Sequence, residues 1–460
     1  MNEEKTFFWY DLETSGLSAR KDRIMQFAGQ RTTLDLEPIG KPENILVKLS
    51  DDTLPSPEAL LVTGITPQKT LQEGIPEHEF CKKITTNIFT PNTIAVGYNS
   101  IRFDDEFIRH TLWRNFYDPY EWTWQDGRSR WDLLDVVRLT RALRPDGIKW
   151  PVDASGKANN KLEQLASLNN IEQKHAHDAL SDVEALIGVA KMLKEKQPKL
   201  FKYLLILRDK NEINKLVNLD NPKPFVYASG RYVCPDKTTV AFPIHHGRTG
   251  GSCLVYDLRI DPTTIDFKNL NKDYPWWDLP IKEIQNNRCP AIAPLGVLNE
   301  ESQNRLDLPL DKIHENIAKL EKNRGIVDQI IEIWNSRPEY PRSQDVEDQL
   351  YDGFISDADK FKIKSVREST AEQLADFHPD FADERLPELL FRYKAREFPK
   401  SLSEDEHKKW QEFKSAKFKK ELPNITKTIE ELSRTINDPQ KQFILDEIQL
   451  FLESNMPINE

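Results

Sequence analysis

The sequence predicts a mixed α/β domain followed by a small strand-rich domain and an all-helical C-terminal domain. Three observations lead there. The first third alternates short apolar β-type runs with helical periodicities, the signature of a sheet covered by helices. From about Leu200 to Tyr351 the chain is richer in Pro, Gly and Asn and carries short β-type segments. From about Asp357 onward nearly everything follows a strongly charged helical pattern. The expected domains are residues 1–196, 197–352 and 353–460.

Taken in order, Thr6–Tyr10, Ile24–Thr33 and Ile45–Leu49 read as strands, Pro76–Phe89 as a helix and Thr93–Gly97 as a strand. Helices are predicted at Asp132–Leu143, Lys161–Leu168 and Asp178–Lys194, where apolar residues recur at spacings of three and four. In the second domain Thr238–Phe242 and Cys253–Leu258 read as strands and Ile313–Trp334 as a helical arm. Lys and Arg total 64 against 75 Asp and Glu, a net charge of -11, which excludes a polybasic protein and confines any polyanion contact to a local patch. No run reaches the roughly 20 apolar residues of a membrane span. The acidic start MNEEKTFFWYD enters a strand at once, without a signal-peptide core, so a cytoplasmic location and no membrane partner are expected. The four cysteines show no CxxC spacing and are expected to be reduced thiols.

The chemistry lies in carboxylates. Asp11 and Glu13 end the apolar run Phe7-Phe8-Trp9-Tyr10, which reads as a strand buried on both faces. Residues two apart on a strand point to one side, and two desolvated carboxylates so placed call for a hard cation, magnesium or manganese. A second element is Gly97–Glu106, where a strand runs through a loop into a helix. Asp104 there fits either a helix cap or a third carboxylate at the same sheet end. A third is His177-Asp178-Ala179-Leu180-Ser181-Asp182, in which a helix start can aim Asp182 at a metal while His177 reaches in from the flanking loop; the alternative is that Asp178 caps the helix and the histidines are solvated. Four carboxylates and a histidine, in order along one α/β domain, are what two-metal phosphodiester hydrolysis requires.

These three segments, DLET at Asp11–Thr14, GYNSIRFDDE at Gly97–Glu106 and HDALSD at His177–Asp182, resemble the exonuclease motifs of the DEDDh 3'→5' exonucleases, whose domain has a ribonuclease H-like fold. The longer segments Asn115–Gln125, Ser129–Arg138, Ala142–Pro151, Leu350–Lys360 and Leu389–Pro399 resemble the bacterial exodeoxyribonuclease I family over nearly the whole chain. That resemblance implies an α/β ribonuclease H-like exonuclease domain, an SH3-like domain and a helical C-terminal domain around a groove for single-stranded DNA. It implies that Asp11, Glu13, Asp104 and Asp182 hold two magnesium ions, or manganese, and that His177 is the general base. Asp105 and Asp178 remain neighbouring acids, and the pattern does not exclude an exchange between Asp105 and Asp104.

Between Ile101 and Ile148 the chain has eight arginines, nine aromatic residues and no lysine, a mixture suited to a single strand because guanidinium pairs with phosphate while rings stack on bases. The resemblance singles out Arg109, Tyr120, Trp124 and Arg138 as DNA contacts. It also places Lys161 where the family has an arginine, keeping the charge but losing the bidentate fork. Phe391–Lys420, with ten Lys/Arg against five acids, would form a positive wall of the groove. The family's partner is the acidic C-terminal tail of single-stranded DNA-binding protein, and the matching positions here are Arg144, Tyr203, Lys223 and Arg305. One enclosed groove per chain implies a monomer. The overall expectation is a processive 3'→5' exonuclease on single-stranded DNA, acting in DNA repair and recombination.

Overall fold

The computed structural model describes residues 4–172, 178–265, 274–339 and 341–456. The chain divides into two compact units. The first comprises Met1–Arg128, Lys174–Val183 and Pro341–Glu460, and the second Ser129–Gln173 and Glu184–Tyr340. The exonuclease-like N-terminus and the C-terminal helices therefore belong to one unit.

In the first unit, strands β1 (Thr6–Thr14), β2 (Ile24–Thr32), β3 (Pro38–Leu46) and β4 (Thr93–Gly97) lie in the order β3-β2-β1-β4. β1 runs antiparallel to β2, pairing Asp11 with Ala28 and Glu13 with Gln26, and parallel to β4, pairing Phe7 with Ile94 and Trp9 with Val96. Flanked on both sides, β1 has to be apolar throughout its length until the acids at its end, and Phe7, Phe8, Trp9 and Tyr10 are all buried. On one face Phe8, Tyr10, Phe27, Phe80, Phe89 and Trp122 form a common core.

β3 departs from the expected strand at Ile45–Leu49: it starts at Pro38, and its first half is exposed and rich in Pro, Gly, Lys and Glu. An edge strand tolerates proline and charge because one side of its backbone faces water, so it lacks the alternation that marks a half-buried strand. The predicted Pro76–Phe89 helix is helical from Glu77 to Lys83 and continues as a π-helical turn over Ile84–Ile88.

C-terminal helices complete this unit. Ile444, Leu445, Ile448 and Phe451 pack with Met25, Leu49, Leu54 and Leu60, and Leu386, Leu389 and Tyr393 pack with Trp113 and Phe116. Between such apolar contacts lies a buried ion cluster. Glu347 accepts from Arg396 at 2.6 Å and Arg23 at 3.1 Å, while Asp52 lies 3.5 Å from Lys417 and 3.6 Å from both Arg23 and Arg396.

The second unit starts with β5 (Ser129–Asp132), which leads into the Leu133–Leu143 helix. β6 (Phe225–Ala228), β7 (Thr238–His246), β8 (Ser252–Asp257), β9 (Ile281–Gln285) and β10 (Ala291–Pro294) form an antiparallel sheet in the order β10-β6-β7-β8-β9. The predicted arm is two helices, Leu310–Lys322 and Arg324–Asn335, separated at Asn323. No helix among the described residues is long and apolar enough to cross a membrane.

The ion cluster sets the acid stability of the first unit. Burial pushes Asp52 up, but Lys417, Arg396 and Arg23 overcome it and hold its carboxyl well below the ordinary range. Burial likewise raises Glu347, and Arg396 and Arg23 reverse the shift. Groups with depressed folded pKa values contribute stability above their unfolded pKa, about 4, and lose it as pH falls toward the folded values. The difference in Tm between the wild type and Glu347→Gln, which isolates the cluster, should therefore be nearly constant from pH 7 to 5 and shrink steeply below about pH 4. At pH 7, Glu347→Gln should lower Tm by about 5–15 °C, since it strands buried guanidinium charge. Calorimetry of both proteins across this range checks both outcomes.

Candidate active site

The site is assembled where β1 ends. Alternation along the strand puts Asp11 and Glu13 on the same side. Asp182 arrives from the first turn of the Ala179–Lys196 helix, whose start is capped by Asp178: its Oδ1 accepts from the Ser181 backbone N–H at 3.1 Å. One carboxylate oxygen each from Asp11, Glu13 and Asp182 lie within 4.8 Å of one another.

The loop between β4 and the Asp104–Arg114 helix brings the fourth acid. Gly97 permits the turn, since a Cβ there would stand 2.5 Å from the Ser100 side chain. Asn99 adopts the left-handed conformation, at φ 64°, and the helix begins directly at Asp104 with no side-chain cap from Phe103. Asp104 and Asp105 have different surroundings. Asp105 is buried and accepts the Tyr10 hydroxyl, whereas Asp104 is foremost among the charges acting on Asp11.

Burial pushes the Asp11 carboxyl well above its ordinary range, and Asp104, Glu13 and Asp182 push it further in the same direction. Burial also raises Glu13, and with Asp182, Asp104 and Asp178 it brings the carboxyl to about 8. Each charge that moves these two groups is another carboxylate. Crowded oxygen donors, partly removed from water and mutually repelling, fit hard divalent cations such as magnesium. His177 lies outside the described residues.

After β1 the chain turns tightly. Thr14 Oγ1 donates to the Gly16 carbonyl at 2.7 Å, Asp22 accepts the Ser18 N–H at 2.8 Å, and a Cβ at position 16 would meet the Asp22 carboxylate at 2.4 Å. This loop exposes Leu17, 84% accessible, close in sequence to Glu13. A single leucine in a turn carries no periodic signal, so sequence reasoning passed over it.

Arg109 is buried, pairs with Glu106 at 3.1 Å, and lies 5.5 Å from the Tyr120 ring centroid. Tyr120 neighbours Tyr351 and Phe354, with ring centroids 6.4 and 6.2 Å away, and Phe354 is 91% exposed. Tyr351 and Phe354 were also missed as candidate contacts: their proximity to Tyr120 is set by the fold, and only their place within Leu350–Lys360 hinted at them. Trp124 is exposed in the same unit.

In the second unit Arg138 pairs with Asp135 at 2.6 Å, and Lys161 is exposed beside Glu163. Arg144 donates to the carbonyls of Leu143 and Val297. Arg305 donates to the carbonyls of Arg141 and Ala142 and pairs with Asp236 at 2.7 Å. Tyr203 has a buried hydroxyl with no hydrogen-bond partner among the described residues, and Lys223 is exposed.

A mixed sheet whose buried central strand ends in clustered carboxylates, joined by acids from two helix starts, defines a nuclease of the metal-dependent exonuclease class. Residues 8–190 match the Exonuclease family, residues 208–336 the Exonuclease I SH3-like domain and residues 344–455 the Exonuclease I C-terminal domain. The chain is similar to exodeoxyribonuclease I of Haemophilus influenzae, 38% identical over 97% of this chain and 97% of the relative. It is similar to Escherichia coli exonuclease I solved with a dA16 oligonucleotide, at 36% identity and TM-score 0.93, covering 98% of this chain and 100% of that one. It is also similar to the exonuclease I of a structure of SSB and exonuclease I with an inhibitor, at 35% identity and TM-score 0.90, covering 98% and 100%. The chain belongs to the exodeoxyribonuclease I family.

Because Glu13 has a folded pKa near 8, against an unfolded value of about 4.3, the metal-free protein loses stability as pH rises between them. A bound divalent cation removes that cost and releases protons on binding. Magnesium should therefore raise Tm more at pH 8 than at pH 5.5, and Asp182→Asn should shrink the gain at both. Thermal shifts in magnesium and in chelator measure this. Equal gains at the two pH values would contradict it.

Proposed function

We propose that this nuclease is a 3'→5' exonuclease that degrades single-stranded DNA processively to 5'-mononucleotides, with two magnesium ions held by Asp11, Glu13, Asp104 and Asp182. The observation that carries the reading is the convergence of Asp11, Glu13 and Asp182 within 4.8 Å in a chain of this family. The oligonucleotide bound by the Escherichia coli relative supports the substrate class.

When bound, the metal ions supply charge that activates the attacking water and stabilises the departing 3' oxygen. The chain's own groups do the rest. The four carboxylates fix the cations at the end of a rigid strand. His177 takes the proton from water as general base. Arg109 and Tyr120, stacked on each other, and the exposed Trp124 and Phe354 hold the strand by pairing with phosphate and stacking on bases. Arg138 and Lys161 add phosphate contacts. Leu17, an exposed apolar side chain just beyond the carboxylates, packs against the terminal base.

The tail of single-stranded DNA-binding protein is the proposed partner, with Arg144, Tyr203, Lys223 and Arg305 receiving it; the solved SSB and exonuclease I structure supports this. A cytoplasmic monomer working in DNA repair and recombination is the corresponding cellular reading. The resemblance also divides the chain functionally at residues 1–196, 197–352 and 353–460.

End-labelled single-stranded DNA tests the central claim. A ladder from the 3' end in magnesium, and none in chelator, is expected; degradation from the 5' end or in chelator overturns it. Asp182→Asn should lower the rate by several orders of magnitude and leave strand binding intact. His177→Ala should cost about 10²–10⁴ in rate with metal affinity nearly unchanged, whereas a large loss of metal affinity would make His177 a ligand.

Among the described residues Arg144 meets only carbonyl oxygens, whereas Arg305 already has a carboxylate, so Arg144→Ala should weaken binding of an acidic tail peptide more than Arg305→Ala. Digestion of protein-coated DNA should fall with it, and digestion of a bare oligonucleotide should not. Equal slowing on both substrates would place Arg144 on the DNA path instead.

A further inference from the structure

Three tryptophans and an arginine meet at one corner of the second unit. Trp276 and Trp277 form a 3-10 turn just before β9, and Trp334 and Arg337 lie at the end of the Arg324–Asn335 helix. The Trp276 ring contacts Trp277 and Trp334 edge to face, with centroids 5.7 and 5.8 Å apart. The Arg337 guanidinium lies 5.0 Å from the Trp276 centroid and also covers the Trp334 face. Arg248, from the turn between β7 and β8, donates to the Asn335 and Arg337 carbonyls at 3.5 and 2.5 Å, which ties a second guanidinium to the corner.

Accessibility is graded across the cluster. Trp334 is buried and roots it in the core, Trp276 is half-buried, and Trp277 is 65% exposed. Burial of an indole ring is a large gain that packing normally takes, yet Trp276 already covers Trp334 and Trp277 contributes little further cover. Carboxylates among the described residues nearby include Asp278, next in sequence to Trp277, and Glu283, which accepts the Arg248 backbone N–H and the Ser252 hydroxyl. An exposed ring braced by a second ring and flanked by guanidinium groups is what single-stranded nucleic acid recognition uses: rings stack on bases without selecting sequence, and arginines pair with phosphates. An apolar protein partner would instead want a broad apolar face, and here one exposed ring stands among cations.

We propose that Trp277, braced by Trp276 and flanked by Arg337 and Arg248, is a stacking platform of the second unit for unpaired bases of the substrate strand. The proposal rests on the reading of the chain as a single-strand exonuclease. It explains why the segment Tyr274-Pro275-Trp276-Trp277-Asp278 keeps an indole in water.

The test measures fluorescence anisotropy of labelled oligo-dT of increasing length with the full chain in chelator, where the strand stays intact. Trp277→Ala should bind short oligomers like the wild type and long ones about 5- to 100-fold more weakly. Trp277→Phe should recover most of the loss. In the wild type, the affinity gained with length should disappear when abasic sugars replace the added nucleotides. In magnesium, hydrolysis of the short oligomers should proceed at the wild-type rate in Trp277→Ala. Equal affinities of wild type and Trp277→Ala at every length overturn the platform, as does a gain that survives abasic substitution. Failure of the wild type to bind oligo-dT at any length overturns the single-strand reading itself, an outcome distinct from loss of the platform alone.

Discussion

Asp11, Glu13, Asp104 and Asp182 repel one another where the apolar β1 strand gives way to acids, and the surrounding framework has to hold them there. Burial amplifies the repulsion, since each charge is felt more strongly away from water. Flexible acids would move apart. These remain together because each is anchored by structure that is satisfied elsewhere: β1 by its ladders to β2 and β4, Asp182 by a helix start that Asp178 caps, and Asp104 by a loop shaped at Gly97 and Asn99. The strain is local and is what a divalent cation relieves.

The ion cluster of the same unit shows the opposite solution. Glu347 and Asp52 are buried, as Glu13 is, yet Arg396, Arg23 and Lys417 surround them, and their carboxyls move down where Asp11 and Glu13 move up. A charge balanced by its neighbours serves the architecture, and a charge opposed by its neighbours awaits a ligand. Tyr10 sits between the two regimes, its hydroxyl on Asp105 and its ring in the aromatic core, so Asp105 serves the fold beside an acid that serves the site.

The central strands and main helices were legible because their burial imposes period on the sequence: the Phe7–Tyr10 run and Thr93–Gly97 had little choice of structure. β3 was misplaced because an exposed edge has no such period, and the arm was read as continuous because the break at Asn323 interrupts no apolar spacing. The candidate acids were singled out through order and spacing, aided by resemblance to a family, and the structure brings Asp11, Glu13 and Asp182 together. Separating Asp104 from Asp105 required coordinates, since neighbours at a helix start differ only in direction. Leu17, Tyr351, Phe354 and the Trp277 corner were missed for a shared reason. Each owes its exposure to tertiary neighbours that lie far from it in the chain or to a turn, and neither leaves a local pattern.

The first unit is assembled from both ends of the polypeptide, and this has a consequence for its birth on the ribosome. Met25, Leu49, Leu54 and Leu60 emerge early, but their partners Ile444, Leu445, Ile448 and Phe451 emerge almost last. At about 5–20 residues per second, the roughly 380 residues between Leu60 and Ile444 take about 20–75 s to make. Over that interval an apolar face and the charges of Arg23 and Asp52 stay uncovered, while the second unit, which lies between them in the chain, can complete itself first. Synthesis order thus leaves the nascent N-terminal sheet with an uncovered apolar face, the condition under which chains aggregate, and a messenger cut short after residue 340 would yield a sheet with that side permanently open.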